Sequence, residues 1–157
     1  MQNRTTEEFL ADLEEFDTAM LVTRDGAHLR ARPMQPHVGN ADGSIRFLTS
    51  IRTHKVEEFA RAPEANLVFT DDDASWISVS GRMRLSRDAA DIDELWSASA
   101  EAWLGHGRDE AVVLILEPEI AEYWDYRENA VKAGWEIAKG MLTGKQPDIG
   151  ENRKLTL

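Results

Sequence analysis

Thr18-Ala-Met-Leu-Val-Thr-Arg-Asp-Gly-Ala-His28 decides the fold class. An apolar run, Thr18 to Thr23, meets Asp25-Gly26, a dipeptide suited to a tight hairpin turn, and a second run starts at His28. That second strand, about His28 to Val38, carries Pro33 and Pro36. Proline has no N–H to give a ladder, so the strand must lie at an edge, carry a bulge or open toward a ligand. Asp42-Gly43 marks the next turn, and Ser44–Ser50 reads as the third strand.

Working outward, residues 4–17 predict an amphipathic helix, with Phe9, Leu10, Leu13 and Phe16 at helical spacing. A short helix follows Ser50, with Thr53 as its N-cap, Val56, Phe59 and Ala60 facing inward and Pro63 beyond its end. Asn66–Thr70 and Ser75–Leu85 read as strands joined by a turn at Asp71-Asp72-Asp73. Gly81, inside the second of them, marks a bulge or a close backbone approach. Asp88 to Leu104 predicts one helix. Ala111–Leu116 is apolar throughout and reads as a buried strand, and Ile120–Tyr126 as a further strand after Pro118. A last helix spans about Asn129–Leu142, and 143–157 reads as a polar tail. Hairpin signals at about ten-residue spacing predict a mainly β fold, an antiparallel barrel with peripheral helices in one domain over 1–157.

Composition narrows the function classes. The 157 residues include no cysteine, which excludes disulfides, thiolate metal sites and a cysteine nucleophile. No apolar run is long enough to span a bilayer, and the N-terminus carries no secretory pattern, so a cytoplasmic location and no membrane partner are expected. A net charge of −11 argues against nucleic acid. Yet Arg24, Arg30, Arg32, Arg46, Arg52 and Lys55 face only Asp25 and Asp42 between positions 24 and 55. A basic island in an acidic chain suggests a local anion site. The alternative is a set of arginines paired with carboxylates elsewhere.

Chemistry concentrates in Phe47-Leu-Thr-Ser-Ile-Arg-Thr-His-Lys-Val56. Hydroxyl residues end a strand, a tight turn follows, and a helix starts with His54 and Lys55 in its first turn. Cations there oppose the helix dipole, a conflict that an anion would resolve. Thr49, Ser50, Thr53 and Lys55 are therefore candidates for a phosphate cradle, with Arg30 and Arg32 sharing a face of the preceding strand. The alternative leaves Lys55 solvated and Thr53 a simple cap. His28, His37, His54 and His106 show no metal-ligand spacing, and no hydrolase, Rossmann or P-loop signature is present. Trp96 and Trp103, seven apart on one helix, read as core packing, with a ring-stacking site as the alternative. Trp76 and Trp124 also read as core, with a flat cofactor or a subunit interface as the alternative.

The chain resembles the FMN-binding split-barrel family, the superfamily of pyridoxamine 5′-phosphate oxidase, and within it the bacterial general-stress-protein branch. The resemblance rests on Ala19-Met-Leu-Val-Thr23 with Asp25-Gly26, Arg30-Ala-Arg-Pro-Met34, Phe47-Leu-Thr-Ser50 and His54-Lys-Val56. It continues through Ile77-Ser-Val-Ser-Gly81, Glu94-Leu-Trp96, Trp103, Glu122-Tyr-Trp-Asp125, Gly134-Trp-Glu-Ile-Ala138 and Leu142-Thr-Gly144. It implies a six-stranded antiparallel split barrel forming a homodimer with FMN at the interface. Arg32, Thr49, Ser50, Thr53 and Lys55 would then meet the flavin phosphate, with Arg30 or Arg52 compensating for His54, which replaces a family arginine. Backbone groups around Pro33 and Met34 would meet the isoalloxazine edge, and Leu48 is a further expected cofactor-binding residue. The paired-arginine segment that ends the pyridoxamine phosphate oxidases is missing, so that oxidation is not expected. Three functions remain open at this point: a flavin oxidoreductase acting on an unidentified small substrate, a flavin-binding stress protein without turnover, and a binder of haem or a deazaflavin.

Overall fold

The computed structural model describes residues 6–39, 42–70, 75–105, 107–125 and 151–156. Helix α1 (Thr6–Leu13) leads into strands β1 (Ala19–Asp25), β2 (His28–Met34), β3 (His37–Val38) and β4 (Ile45–Ser50). Helix α2 (His54–Arg61) is followed by β5 (Glu64–Thr70) and β6 (Ser75–Ser86). Helices α3 (Ala89–Leu95) and α4 (Ala98–Leu104) precede β7 (Ala111–Asp125) and β8 (Glu151–Thr156). The expected turn at Asp71–Asp73 and the helix at Asn129–Leu142 lie outside the described residues.

All strands join one antiparallel sheet in the order β2-β1-β5-β6-β7-β4-β3, with β8 paired to β7. The two ends of this path, β2 and β3, are separated in the chain only by Gln35 and Pro36. So short a link forces the sheet to curl until its ends approach. Among the described residues no register joins β2 to β3, so the sheet is open, a split barrel rather than a closed one. Prolines at 33 and 36 fit that outcome, because neither can donate to a closing ladder.

The core is set by strand alternation. Leu21, Phe47, Leu67, Phe69, Ile77, Val79, Leu114 and Leu116 fill the interior, with Phe9 and Leu13 of α1. Phe16 closes one end edge-on to Phe69, ring centroids 5.5 Å apart. Ala111, Val113 and Ile115 point the other way, into a second cluster with Ile92 and Leu95 of α3. Ala111–Leu116 is apolar throughout because both of its faces are covered.

Several expectations need correction. The strand from His28 to Val38 is two strands on opposite ends of the sheet, divided at Gln35-Pro36. The helix from Asp88 to Leu104 is two helices, because Trp96 leaves helical geometry and Ser97 caps α4 by accepting from Ala100 N. After that break α4 has no buried residue, and Trp103 is 90% exposed instead of buried. Trp96 is partly buried against the second cluster, with the Arg108 guanidinium 5.5 Å from its ring centroid. Trp76 and Trp124 sit opposite each other on β6 and β7, outside both core clusters. One strand runs through Pro118 where two were expected, since the register shift at Ser80/Gly81 places Pro118 at a bulge. Part of the expected polar tail is strand β8, paired from Ile120↔Thr156 to Asp125↔Glu151. The short β3 and this added strand raise the count from six to eight among the described residues.

Candidate functional site

Strand β4 ends at Thr49 and Ser50, both buried although polar. The chain then turns sharply: Thr53 N donates to the Ser50 carbonyl at 3.1 Å, and its hydroxyl donates to the same oxygen at 2.8 Å. Arg52 N donates to Ser50 Oγ at 3.2 Å. Thr53 is the N-cap of α2 by position, but its hydroxyl is spent on the turn and caps no first-turn N–H. In the first turn of the helix, Lys55 Nζ donates to Thr49 Oγ1 at 3.0 Å, and Thr49 Oγ1 lies 3.5 Å from Thr53 Oγ1. Three of the expected cradle groups therefore converge.

They open onto a cleft of about 840 Å³ beside the split. Pro33, Met34 and Leu48 line it together with Thr49, Ser50, Thr53 and Lys55. Seven of the ten residues singled out in the sequence thus meet in one place. Arg30, Arg32 and His54 do not line it. Arg30 lies 3.6 Å from Asp25. The Arg32 fork is taken up by Glu58, at 2.8 and 3.1 Å, and by the Thr23 hydroxyl at 2.7 Å. Thr23 also donates to Glu58. His54 stands among Asp25, Glu57 and Glu58, at 3.3 to 3.8 Å. Asp25, His54 and Glu58 each bring one ligand atom into a group within 4.8 Å. Glu58 is already bonded to Arg32 and Thr23, so the group reads as a hydrogen-bonded network.

Electrostatics single out Lys55. Arg46 is paired with Asp42, Asp91 and Glu94, and Asp42 is held at about 2, chiefly by the Ser44 hydroxyl and then by Arg46. Arg52, on the cleft wall, pairs with Glu110. For most of the basic island, then, the carboxylate-paired alternative holds. Lys55 has no carboxylate at ion-pair distance among the described residues. Burial first, then the neighbouring Arg32 charge, lower its pKa, with Glu58 opposing. A half-buried ammonium held only by a hydroxyl is a favourable partner for an incoming anion.

Sequence reasoning missed several wall residues. His37 and Gln35 line the cleft; burial lowers the His37 pKa against the opposing Glu94. Leu95, Ser97, Ala100, Trp103 and Leu104, from α3, α4 and the link between them, line it as well. No motif marks them, although Ser97 as a helix cap was readable. Glu58 was missed because its partners stand 26 and 35 residues away.

A curled, unclosed antiparallel sheet with a lysine-and-hydroxyl cluster on a cleft beside its split defines a split-barrel protein. The chain matches the family described as pyridoxamine 5′-phosphate oxidase like over residues 4–148, and it belongs to that family. It is 31% identical over 75 residues to general stress protein 26 of Bacillus subtilis, a match covering 45% of this chain and 53% of that protein. The matched region thus spans about half of that relative's length. Among solved structures, one described as a general stress protein 26 from Jannaschia sp. CCS1 superposes with a TM-score of 0.71 at 29% identity, covering 97% of this chain and 98% of the other. The general stress FMN/FAD binding protein of Xanthomonas citri superposes with a TM-score of 0.64 at 28% identity, covering 76% and 87%. Among the described residues no helix is long and apolar enough to cross a membrane.

Proposed function

We propose that this protein binds FMN in the cleft, with the phosphate against Lys55, Thr49 and Thr53 and the ring system along Met34, Pro33 and Leu48. The observation that carries the reading is Lys55: a half-buried cation without a carboxylate at ion-pair distance among the described residues, in a cleft that Pro33, Met34, Leu48 and Trp103 also line. The flavin-binding relative from Xanthomonas citri supports the choice of ligand class. Bound flavin supplies hydride and electron transfer; the chain holds and orients it. Arg32 acts from behind Lys55, tied to Glu58, rather than on the phosphate itself. The role is that of a general-stress flavoprotein, with oxidoreductase turnover on a small substrate as its catalytic form.

Titration of FMN and riboflavin separates the phosphate from the ring. Hydrogen bonds to a charged group are worth about 1.5–3 kcal/mol, so Lys55→Ala weakens FMN about tenfold or more and leaves riboflavin unchanged. The pH dependence has a definite sign. The phosphate binds the charged ammonium, so FMN affinity is highest below the lowered Lys55 pKa and falls as pH rises through it. The alanine variant loses that limb. Equal affinity of the wild-type chain for FMN and riboflavin would refute the phosphate assignment.

The same reading includes a homodimer. Met20, Trp76 and Ile120 are exposed on β1, β6 and β7, and the strand registers put all three on one sheet face. Light scattering should give about 35 kDa, twice the 17.7 kDa chain. A 17.7 kDa species that holds FMN tightly would contradict it.

A further inference from the structure

Trp103 is out of place for a residue of its type. A tryptophan gains more from burial than other side chains, yet this one is 90% exposed on a helix that buries no residue. Nor is α4 loosely ended. Ser97 caps its start at 3.1 Å, and Gly105, at φ 60°, ends it in the left-handed conformation glycine tolerates. The helix is thus built to hold its last turn in place while leaving the indole outside both core clusters.

The location of that indole is informative. Trp103 lines the same cleft as the Lys55 cradle, on the wall formed by Ala100 and Leu104. Met34 and Leu48 belong to the same cleft from the sheet side. An anion at Lys55 occupies only part of the cleft. A planar, largely apolar group attached to it would lie in the cleft that Met34, Leu48 and Trp103 line together.

We propose that Trp103 is a ligand-contact residue that stacks on the ring system of the bound molecule, so that α4 confers preference for a flat aromatic ring over an aliphatic phosphate ester. This deepens the flavin reading above and rests on it. Stacking of this kind carries a predictable ligand dependence. The indole touches the ring and not the phosphate, so its removal weakens FMN and riboflavin by the same factor, whereas Lys55→Ala weakens FMN alone.

The experiment titrates FMN and riboflavin against full-length wild type, Trp103→Ala, Trp103→Phe and Lys55→Ala, with light scattering and thermal melting of each variant. Trp103→Ala should weaken both flavins about three- to tenfold, with Trp103→Phe recovering most of the loss. Melting temperature should stay unchanged, because the side chain is already in solvent. Tryptophan fluorescence quenched by riboflavin in wild type should be smaller in Trp103→Ala. Unchanged riboflavin affinity in Trp103→Ala overturns the proposal. So does a loss that comes with a halved molar mass, which makes Trp103 a contact between copies of the chain. If wild type binds neither flavin, the flavin reading fails and this proposal with it. Flavin binding that is insensitive to Trp103 defeats this proposal alone.

Discussion

Glu58→Ala should lower folding stability by about 3–5 kcal/mol, the range for removing one partner of a buried ion pair. Glu58 is 2% exposed at its side chain, and Arg32 is 20% exposed. Both oxygens of the carboxylate accept from Arg32 Nη2, and one of them accepts also from the Thr23 hydroxyl, to which Arg32 Nη1 donates. Removing it strands a guanidinium and a hydroxyl beside α2, and it removes the anion that favours the charged form of Lys55. The penalty belongs to the stranded charge more than to the lost attraction. Arg32→Leu combined with Glu58→Leu should therefore be less destabilised than Glu58→Ala alone. Urea denaturation of the three chains measures this. A Glu58→Ala midpoint equal to wild type would remove the pair from any account of the fold.

Gly81→Ala should cost about 3 kcal/mol, at the upper end of overpacking penalties. A Cβ at position 81 would stand 2.1 Å from the Glu117 carbonyl oxygen and 2.9 Å from its carbon. These are backbone atoms of the paired strand, so no rotamer change relieves the clash. The β6–β7 ladder must part at its bulge, where Gly81 faces Pro118. None of the cleft residues lies there. The variant should thus melt earlier while binding FMN almost as wild type does below its transition. An unaltered melting temperature would show that the bulge yields freely.

Legibility in the sequence followed the range of the interaction. Asp25-Gly26 announced a hairpin, and Gly26 sits at φ 60° between β1 and β2. Thr53 is at the cap of α2, Gly81 is at a close approach, and Ala111–Leu116 is buried on both faces. Each of those signals is local. Thr49, Ser50, Thr53 and Lys55 were readable as a cradle because all four lie within one strand–turn–helix. Arg32 was harder, since nothing near it in the chain shows that Glu58 will claim its fork. Trp103 misled for a different reason. Seven-residue spacing implies a shared helical face only while the helix continues, and it stops at Trp96. Pro118 suggested a strand end because a bulge is a property of two strands together, and β8 is a polar edge strand that needs no apolar pattern.

The gap beside Gln35 and Pro36 has a consequence for solubility. A closed barrel has no edges, whereas this sheet leaves β2 and β3 without a joining ladder among the described residues, and an unpaired edge is a template on which a second chain can add a strand. On β2 that edge carries Arg30, Arg32 and Pro33, with Pro36 just beyond, so charge and absent N–H groups discourage such pairing. Pro33 is at once part of the cleft wall and part of this guard. Selection for a reshaped ligand site is therefore constrained by protection against self-association: a substitution that smooths β2 into a better strand would also make it a better seed.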